Sequence, residues 1–207
     1  MAYRVLIVED QEMPRQLFEI FVRSDERFSH VGSISNAELA VDFCRHGGID
    51  LILMDVMTEL GSSGLDAAAL IKREFPDVKI IIVTSMPEGS WLKRAREIGV
   101  ESFWYKEVQE QPLLEIMDRT MAGESVYPGA SPAVPVGNAL STDFTEREAE
   151  VLRELVSGSS NREIAARLGI AENTVKMHIT NMLQKTGYHS RLELAVKARH
   201  LGVAIKD

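Results

Sequence analysis

A single cysteine, Cys44, occurs in 207 residues. One thiol cannot close an intramolecular disulfide and cannot build a thiolate metal cluster within one chain, so Cys44 reads as a small buried apolar residue. Long hydrophobic runs are missing too, and no stretch approaches the ~18 apolar residues of a membrane span. The N-terminus enters a strand-like run, Tyr3 to Val8, without the basic and long apolar segments of an export signal. A cytoplasmic location and no membrane partner are therefore expected. An excess of positive charge is also absent: the formal net charge is -8, which speaks against the whole chain being a nucleic-acid binder. The charge is unevenly spread, however. Residues 1–122 hold 13 Lys and Arg against 21 Asp and Glu, whereas residues 123–207 hold 10 of each. From Ser160 to Lys206 there are 8 basic residues against 3 acidic ones, Glu163, Glu172 and Glu193, a surplus of the kind phosphate contact requires.

The length suits two domains, each with its own core. Apolar, β-branched-rich runs at Tyr3 to Val8, His30 to Ile34, Leu51 to Met54, Ile80 to Val83 and Phe103 to Tyr105 alternate with helical patterns. Those patterns fall near Met13 to Ser24, Ala37 to Arg45, Gly64 to Glu74, Gly89 to Ile98 and Pro112 to Met121. The near-continuous apolar strands predict a doubly wound, five-stranded parallel sheet, flavodoxin-like, covered on both faces over residues 1–122. Residues 123–140, with Pro128, Pro132 and Pro135 among small residues, read as an extended linker. Residues 141–207 read as a small all-α domain that opens at Thr142 or Thr145, the latter at capping-box spacing from Glu148.

In a doubly wound sheet the chemistry lies at the carboxyl ends of the strands. Glu9 and Asp10 follow the first strand, Asp55 the third, Thr84 the fourth and Lys106 the fifth. Carboxylates distant in sequence then meet in one cleft beside a hydroxyl and an ammonium. That set is a hard, oxygen-rich Mg²⁺ site able to stabilise a phosphoryl group on one carboxylate.

Over residues 4–121 these features resemble the receiver domain of bacterial two-component response regulators. The resemblance implies that Asp55 is the phosphoacceptor and that Asp10, Asp55 and the Met57 carbonyl bind Mg²⁺, with Glu9 acting chiefly through water. It also implies that Thr84 and Lys106 contact the phosphoryl oxygens. Phe103, three before the lysine, would be the aromatic switch, turning inward as Thr84 is drawn to the phosphate. Two departures stand out: Glu59 replaces a usual proline, and Gly64 comes nine residues after Asp55 where eight is common, so the loop is one residue longer. Glu107 follows Lys106, so the cis-proline some receivers place there is absent. The positions two after Asp55 and two after Thr84 flank the path of attacking water in receivers. Here both are methionine, Met57 and Met86, which implies slow self-dephosphorylation.

From Thr145 to Lys185 three helical patterns are broken at Gly158 and Gly169, the layout of a helix-turn-helix DNA reader. Val175, Ile179, Met182 and Leu183 form one stripe at ~100° per residue, opposed by Asn173, Met177, Thr180 and Gln184. Thr145, Arg147-Glu148, Gly158, Asn161, Glu163-Ile164-Ala165, Leu168, Thr174-Val175-Lys176 and His178 resemble the LuxR/NarL class. By that resemblance Glu172 to Lys185 is the recognition helix. Thr174 and the groove-facing Lys176, Met177, Thr180 and Asn181 are its DNA-binding set, and Lys185, Ser190 and Arg191 are candidates for phosphate contact. Asn173 or Thr174 is the expected cap, because Ala171 stands where the class often has serine. The last helix, about Ser190 to Leu201, would dimerise through Leu192, Ala195, Val196 and Arg199.

The combined expectation is a transcription regulator that a cognate sensor histidine kinase phosphorylates at Asp55, and that binds promoter DNA as a homodimer when phosphorylated. Apart from self-phosphorylation and self-dephosphorylation it would be no enzyme. One alternative keeps the architecture but works independently of phosphate, with the altered loop as its cause. Another, a small aspartyl-phosphate phosphatase, would carry a second acid where Met57 stands, and it leaves the DNA reader without purpose.

Overall fold

The computed structural model describes residues 2–106 and 112–205. The expectation at Glu107 therefore lies outside the described residues. Contacts divide the chain into two compact units, residues 1–85 with 90–130, and residues 86–89 with 131–207.

The first unit contains a parallel five-stranded sheet in the order β2-β1-β3-β6-β7, formed by β1 (Tyr3–Val8), β2 (Phe28–Ile34), β3 (Leu51–Asp55), β6 (Lys79–Thr84) and β7 (Ser102–Tyr105). Helices α1 (Glu12–Arg23), α2 (Glu38–Arg45), α3 (Gly64–Glu74), α4 (Gly89–Ile98) and α5 (Leu113–Met121) alternate with them. Alternating side chains divide the sheet's apolar load between its faces. Val5, Ile7, Leu53, Ile81, Val83 and Trp104 meet Phe18 and Val22 of α1 and Ile116 and Met117 of α5. Leu6, Ile52, Met54, Ile82 and Phe103 are buried as well. Burial on both faces is why these strands read as unbroken apolar runs.

The extended loop after Asp55 is itself structured. β4 (Met57–Thr58) pairs antiparallel with β5 (Ser62–Ser63) around a tight turn, Glu59–Gly61, in which Leu60 and Gly61 are both left-handed. The hairpin seats the first turn of α2, whose N–H groups lack partners within their own helix. Thr58 Oγ1 accepts from Ala37 N (3.0 Å), and Ser62 Oγ accepts from Glu38 N (3.2 Å). Gly64 closes the loop against the Asp55 backbone, where an added Cβ would lie 1.9 Å from the Asp55 carbonyl oxygen.

The second unit contains α6 (Glu146–Val156), α7 (Asn161–Leu168), α8 (Glu172–Thr186) and α9 (Arg191–His200) around a core of Val151, Leu152, Leu155, Ile164, Val175, Ile179, Met182, Leu194 and Ala198. Thr145 caps α6 and closes a box with Glu148, the spacing singled out in the sequence. The cap of α8 differs from expectation. Ala171 occupies it without a side-chain bond, and Asn173 and Thr174 already lie inside the helix.

The stretch read as linker is not uniformly extended. Residues 123–130 belong to the first unit and residues 131–140 to the second. Within the latter, β8 (Pro135–Val136) pairs with β9 (Ala139–Leu140) and buries Val136. Proline and small residues hid the two apolar anchors, Val126 and Val136, that fold each half onto its neighbour. Among the described residues, no helix is long and apolar enough to cross a membrane.

Candidate functional site

Parallel pairing sets the carboxyl ends of β1, β3, β6 and β7 side by side, with Val8 opposite Met54, Asp55 opposite Val83 and Thr84 opposite Tyr105. Ligand atoms of Glu9, Asp10 and Asp55 lie within 4.8 Å of one another. Glu9 is wholly buried, and Asp55 is 5 % exposed. The Lys106 ammonium donates to Asp55 Oδ2 (2.7 Å) and to Glu9 Oε2. Val56 N donates to Asp55 Oδ1 (2.7 Å). Thr84 is buried at the end of β6, and its carbonyl accepts from Lys106 N (2.9 Å).

These neighbours act on the Asp55 proton in opposite directions. Burial pushes its carboxyl up from the ordinary 3.8 to about 7; the Lys106 ammonium opposes that rise and the Glu9 carboxylate adds to it. Lys106 itself is held above its ordinary value: burial lowers it, but the Asp55 and Glu9 carboxylates outweigh that. Asp10 Oδ1 is buried and has no hydrogen-bond partner among the described residues. An orphaned carboxylate oxygen beside two buried carboxylates is a donor set suited to a small hard cation. Met57, whose carbonyl was expected to join it, opens β4 two residues after Asp55.

Phe103 is 1 % exposed, with its ring centroid 5.0 Å from that of Tyr105 and 6.3 Å from that of Tyr127. The second contact was not anticipated, because Tyr127 falls in the stretch read as linker.

In the second unit α7 and α8 are joined through Gly169, which caps α7 in the left-handed conformation. Val175, Ile179 and Met182 are buried and Leu183 is partly so, while Asn173, Lys176, Met177, Thr180 and Gln184 are exposed. The stripe and its opposite face lie as their periodicity required. Thr174, His178 and Asn181 are half-buried. The three residues expected at phosphates hold bonds inside the domain. Lys185 Nζ donates to Glu148 Oε2 (2.7 Å) and the Asp143 carbonyl (2.9 Å). Ser190 Oγ caps α9 by accepting from Glu193 N (3.1 Å). Arg191 donates to Asn161 Oδ1 (2.8 Å) and the Ser159 carbonyl (2.9 Å). On α9 the core residues are Leu194 and Ala198, whereas Leu192 and Val196 are 70 % and 57 % exposed. Ala195 is half-buried and Arg199 exposed.

The response regulator receiver domain family matches residues 5–118, and the luxR family of bacterial regulatory proteins matches residues 142–198. This chain belongs to the LuxR-type response regulators. The response regulator VraR of Staphylococcus epidermidis is 31% identical over 204 residues, covering 96% of this chain and 97% of VraR. Among solved structures, RcsB dimers bound to two parallel DNAs align with a TM-score of 0.64 at 18% identity, covering 96% of this chain and 98% of RcsB. RcsB of Salmonella enterica serovar Typhimurium, bound to the rprA promoter with the phosphomimetic BeF3-, gives 0.60 at 20% identity over 95% of this chain and 98% of RcsB. At such identities the structural likeness carries the fold alone.

This LuxR-type regulator is thus a DNA-binding two-component response regulator, with an acidic cluster where its receiver fold gathers strand ends. Two pairs of residues escaped sequence reasoning. Val126 and Tyr127 pack against the last strand, and the only local signal was a β-branched and aromatic pair ahead of Pro128. The bonds from Thr58 and Ser62 to α2 had no local signal, since each partner lies more than 20 residues away.

Proposed function

We propose that this regulator is switched by phosphorylation of Asp55 by a cognate sensor histidine kinase in the cytoplasm, and that the phosphorylated form dimerises on promoter DNA. The observation that carries the reading is the buried Asp55 carboxylate held by Lys106 at 2.7 Å beside the orphaned Asp10 Oδ1. Glu9, Asp10, Asp55 and the Met57 carbonyl would hold Mg²⁺. When bound, the ion would offset negative charge on the phosphoryl oxygens. An Asp55 oxygen attacks phosphorus, forming an acyl phosphate as the bond to the donor nitrogen breaks. Lys106 and Thr84 then meet the phosphoryl oxygens, and Phe103 follows Thr84. Lys106 is already oriented by two carboxylates, so little rearrangement precedes transfer.

For DNA reading, α8 offers Lys176, Met177 and Thr180 on one exposed face, with Thr174 and Asn181 at its margins. A lysine donates to guanine O6 and N7, and a methionine packs on a thymine methyl. Among the described residues Arg191 uses two of its five N–H donors within the domain, leaving others for phosphate, and Lys185 and Ser190 lie near it in sequence. Exposure of Leu192 and Val196 one helical turn apart, with Ala195 and Arg199 on the same face of the helix, supports α9 as the dimer face.

The test is intact mass and association state with Mg²⁺ and acetyl phosphate, for wild type and Asp55→Asn. A single phosphoryl adduct with dimerisation, both lost in the variant, is expected. Absence of the adduct under conditions that modify an ordinary receiver would overturn the reading in favour of a phosphate-independent regulator.

A further inference from the structure

The segment after α5 behaves as part of a sixth strand on the edge of the receiver sheet. Val126 forms a parallel bridge with Ser102 of β7. Phe103 N donates to the Val126 carbonyl (2.9 Å), and Val126 N donates to Ser102 Oγ (3.1 Å). Ser102 Oγ in turn shares a hydrogen bond with Thr120 Oγ1 of α5 (2.7 Å). As in any extended segment, successive side chains point to opposite faces. Val126 enters the core with Trp104, Ile116 and Met117. Tyr127 lies on the opposite face, near the Phe103 ring at 6.3 Å and beneath the Arg96 guanidinium at 4.6 Å, and its hydroxyl donates to the Val100 carbonyl (2.8 Å).

We propose that this segment, Glu124 to Pro128, is a latch on the chain leading to the DNA-reading domain, and that the aromatic switch residue Phe103 releases it through Tyr127. The proposal rests on the reading of Asp55 as phosphoacceptor and adds where the signal leaves the receiver. Among the described residues Tyr127 has three supports, and two of them, Phe103 and Arg96 of α4, belong to the surface that repacks when Thr84 and Phe103 move. Withdrawing the Phe103 ring opens space beneath Tyr127 and shifts the backbone amide that holds Val126. Of these three, the bond from the Tyr127 hydroxyl to the Val100 carbonyl then remains. Release adds the segment's length to the connector between the domains. Coupling of this kind is reciprocal: whatever loosens the latch must also favour the switched state of Phe103, and therefore the phosphorylated protein.

The experiment is hydrogen exchange of the Val126 and Phe103 amides in the full chain, with and without acetyl phosphate and Mg²⁺, with the adduct mass read from the same samples. In wild type, exchange of the Val126 amide is expected to rise roughly tenfold or more when the adduct forms, and to stay slow in Asp55→Asn. Tyr127→Ala should exchange fast without any phosphodonor and accumulate about fivefold more adduct relative to unmodified protein at a limiting donor concentration. Tyr127→Phe, which keeps the ring and loses only the Val100 bond, should remain phosphate-responsive. An adduct that leaves Val126 as protected as before, or a Tyr127→Ala protein with wild-type adduct levels, overturns the latch while leaving the Asp55 reading intact. Failure to form any adduct overturns the Asp55 reading, and the latch as a phosphate-driven device with it; the mass measurement separates the two failures.

Discussion

Lys106 Nζ stands 2.7 Å from Asp55 Oδ2 and also bonds Glu9, so one ammonium holds two buried carboxylates together. Removing it leaves like charges facing each other out of water. Lys106→Met is expected to destabilise the receiver by about 3–5 kcal/mol, the usual cost of breaking a buried ion pair from one side. Urea unfolding followed by Trp91 and Trp104 fluorescence reads this, since both indoles are buried in the first unit. Mg²⁺ should recover part of the loss in Lys106→Met but much less when Asp10→Asn is added, because Asp10 supplies the buried oxygen that has no partner among the described residues. Stability equal to wild type in Lys106→Met would show that the ammonium is not what neutralises this pocket.

Leu60 adopts φ +62° at the tip of the β4–β5 hairpin and is 92 % exposed. For a residue with a Cβ, the left-handed conformation costs roughly 1–2 kcal/mol, and this side chain recovers nothing by burial. Leu60→Gly is therefore expected to raise receiver stability by about 0.5–1 kcal/mol after glycine's larger unfolded-state entropy is subtracted. A lower thermal midpoint than wild type would mean that the leucine is held by something other than the turn it occupies.

Glu148 sits at the junction of α6 and α8. Burial pushes its carboxyl up, but the Lys185 ammonium and the Thr145 amide and hydroxyl outweigh this and hold it below the ordinary 4.5. A carboxyl depressed in the folded state contributes stability that is fully present above pH 4.5 and is lost as pH falls through the folded value. Glu148→Gln should cost the DNA-reading domain about 1–3 kcal/mol at neutral pH, and the difference from wild type should shrink on acidification. Glu163 is also depressed, by its bonds with Ser160. Comparing wild type with Glu148→Gln subtracts that contribution. A difference that stays constant down to pH 3 would remove Glu148 from the account.

Much of this molecule was readable from local pattern. Strands such as Val5–Val8 and Ile80–Val83 have neighbours on both sides and helices on both faces, so every residue is apolar and the run is unmistakable. The carboxylate pocket followed, because parallel strands bring their ends together whatever the loops do. The β4–β5 hairpin was not legible: Met57, Thr58, Ser62 and Ser63 show no periodicity, and the Thr58 and Ser62 hydroxyls accept from Ala37 N and Glu38 N across the fold. Tyr127 against Phe103 was hidden for the same reason, as a pairing between residues 24 apart. The set expected at phosphates was only half resolvable, since sequence supplies the cations and leaves unsaid that Lys185 already holds Glu148.

Met57 is half-buried at the start of β4, two residues beyond Asp55, the proposed phosphoacceptor. On that proposal, an apolar side chain there would exclude water from an acyl phosphate on Asp55 and offer nothing to orient it. Met57→Asn, with an amide able to hold a water, is expected to shorten phosphate lifetime by about tenfold, equivalent to ~1.4 kcal/mol off the barrier. Decay of the adduct mass after removal of the phosphodonor measures it. An unchanged or longer lifetime in the variant sinks the idea.

Lys176 and Lys185 lie on the same helix but are differently engaged, and their substitutions should part accordingly. Lys176 is exposed and forms no ion pair among the described residues, with Met177 and Thr180 exposed beside it. Lys185 is tied to Glu148 and Asp143. If α8 reads bases, Lys176→Ala removes one base-edge contact and should cost about 1–3 kcal/mol of discrimination between operator and scrambled duplex, with fold stability unchanged. Lys185→Met should lower fold stability through the stranded Glu148. If Lys185 also meets a phosphate, it should weaken operator and scrambled duplex equally and reduce the salt slope by about one. Fluorescence anisotropy over a range of salt, on both duplexes, separates these outcomes. Full sequence preference in Lys176→Ala would move base reading off this face of α8, while an unchanged salt slope in Lys185→Met would leave that lysine with its role inside the domain.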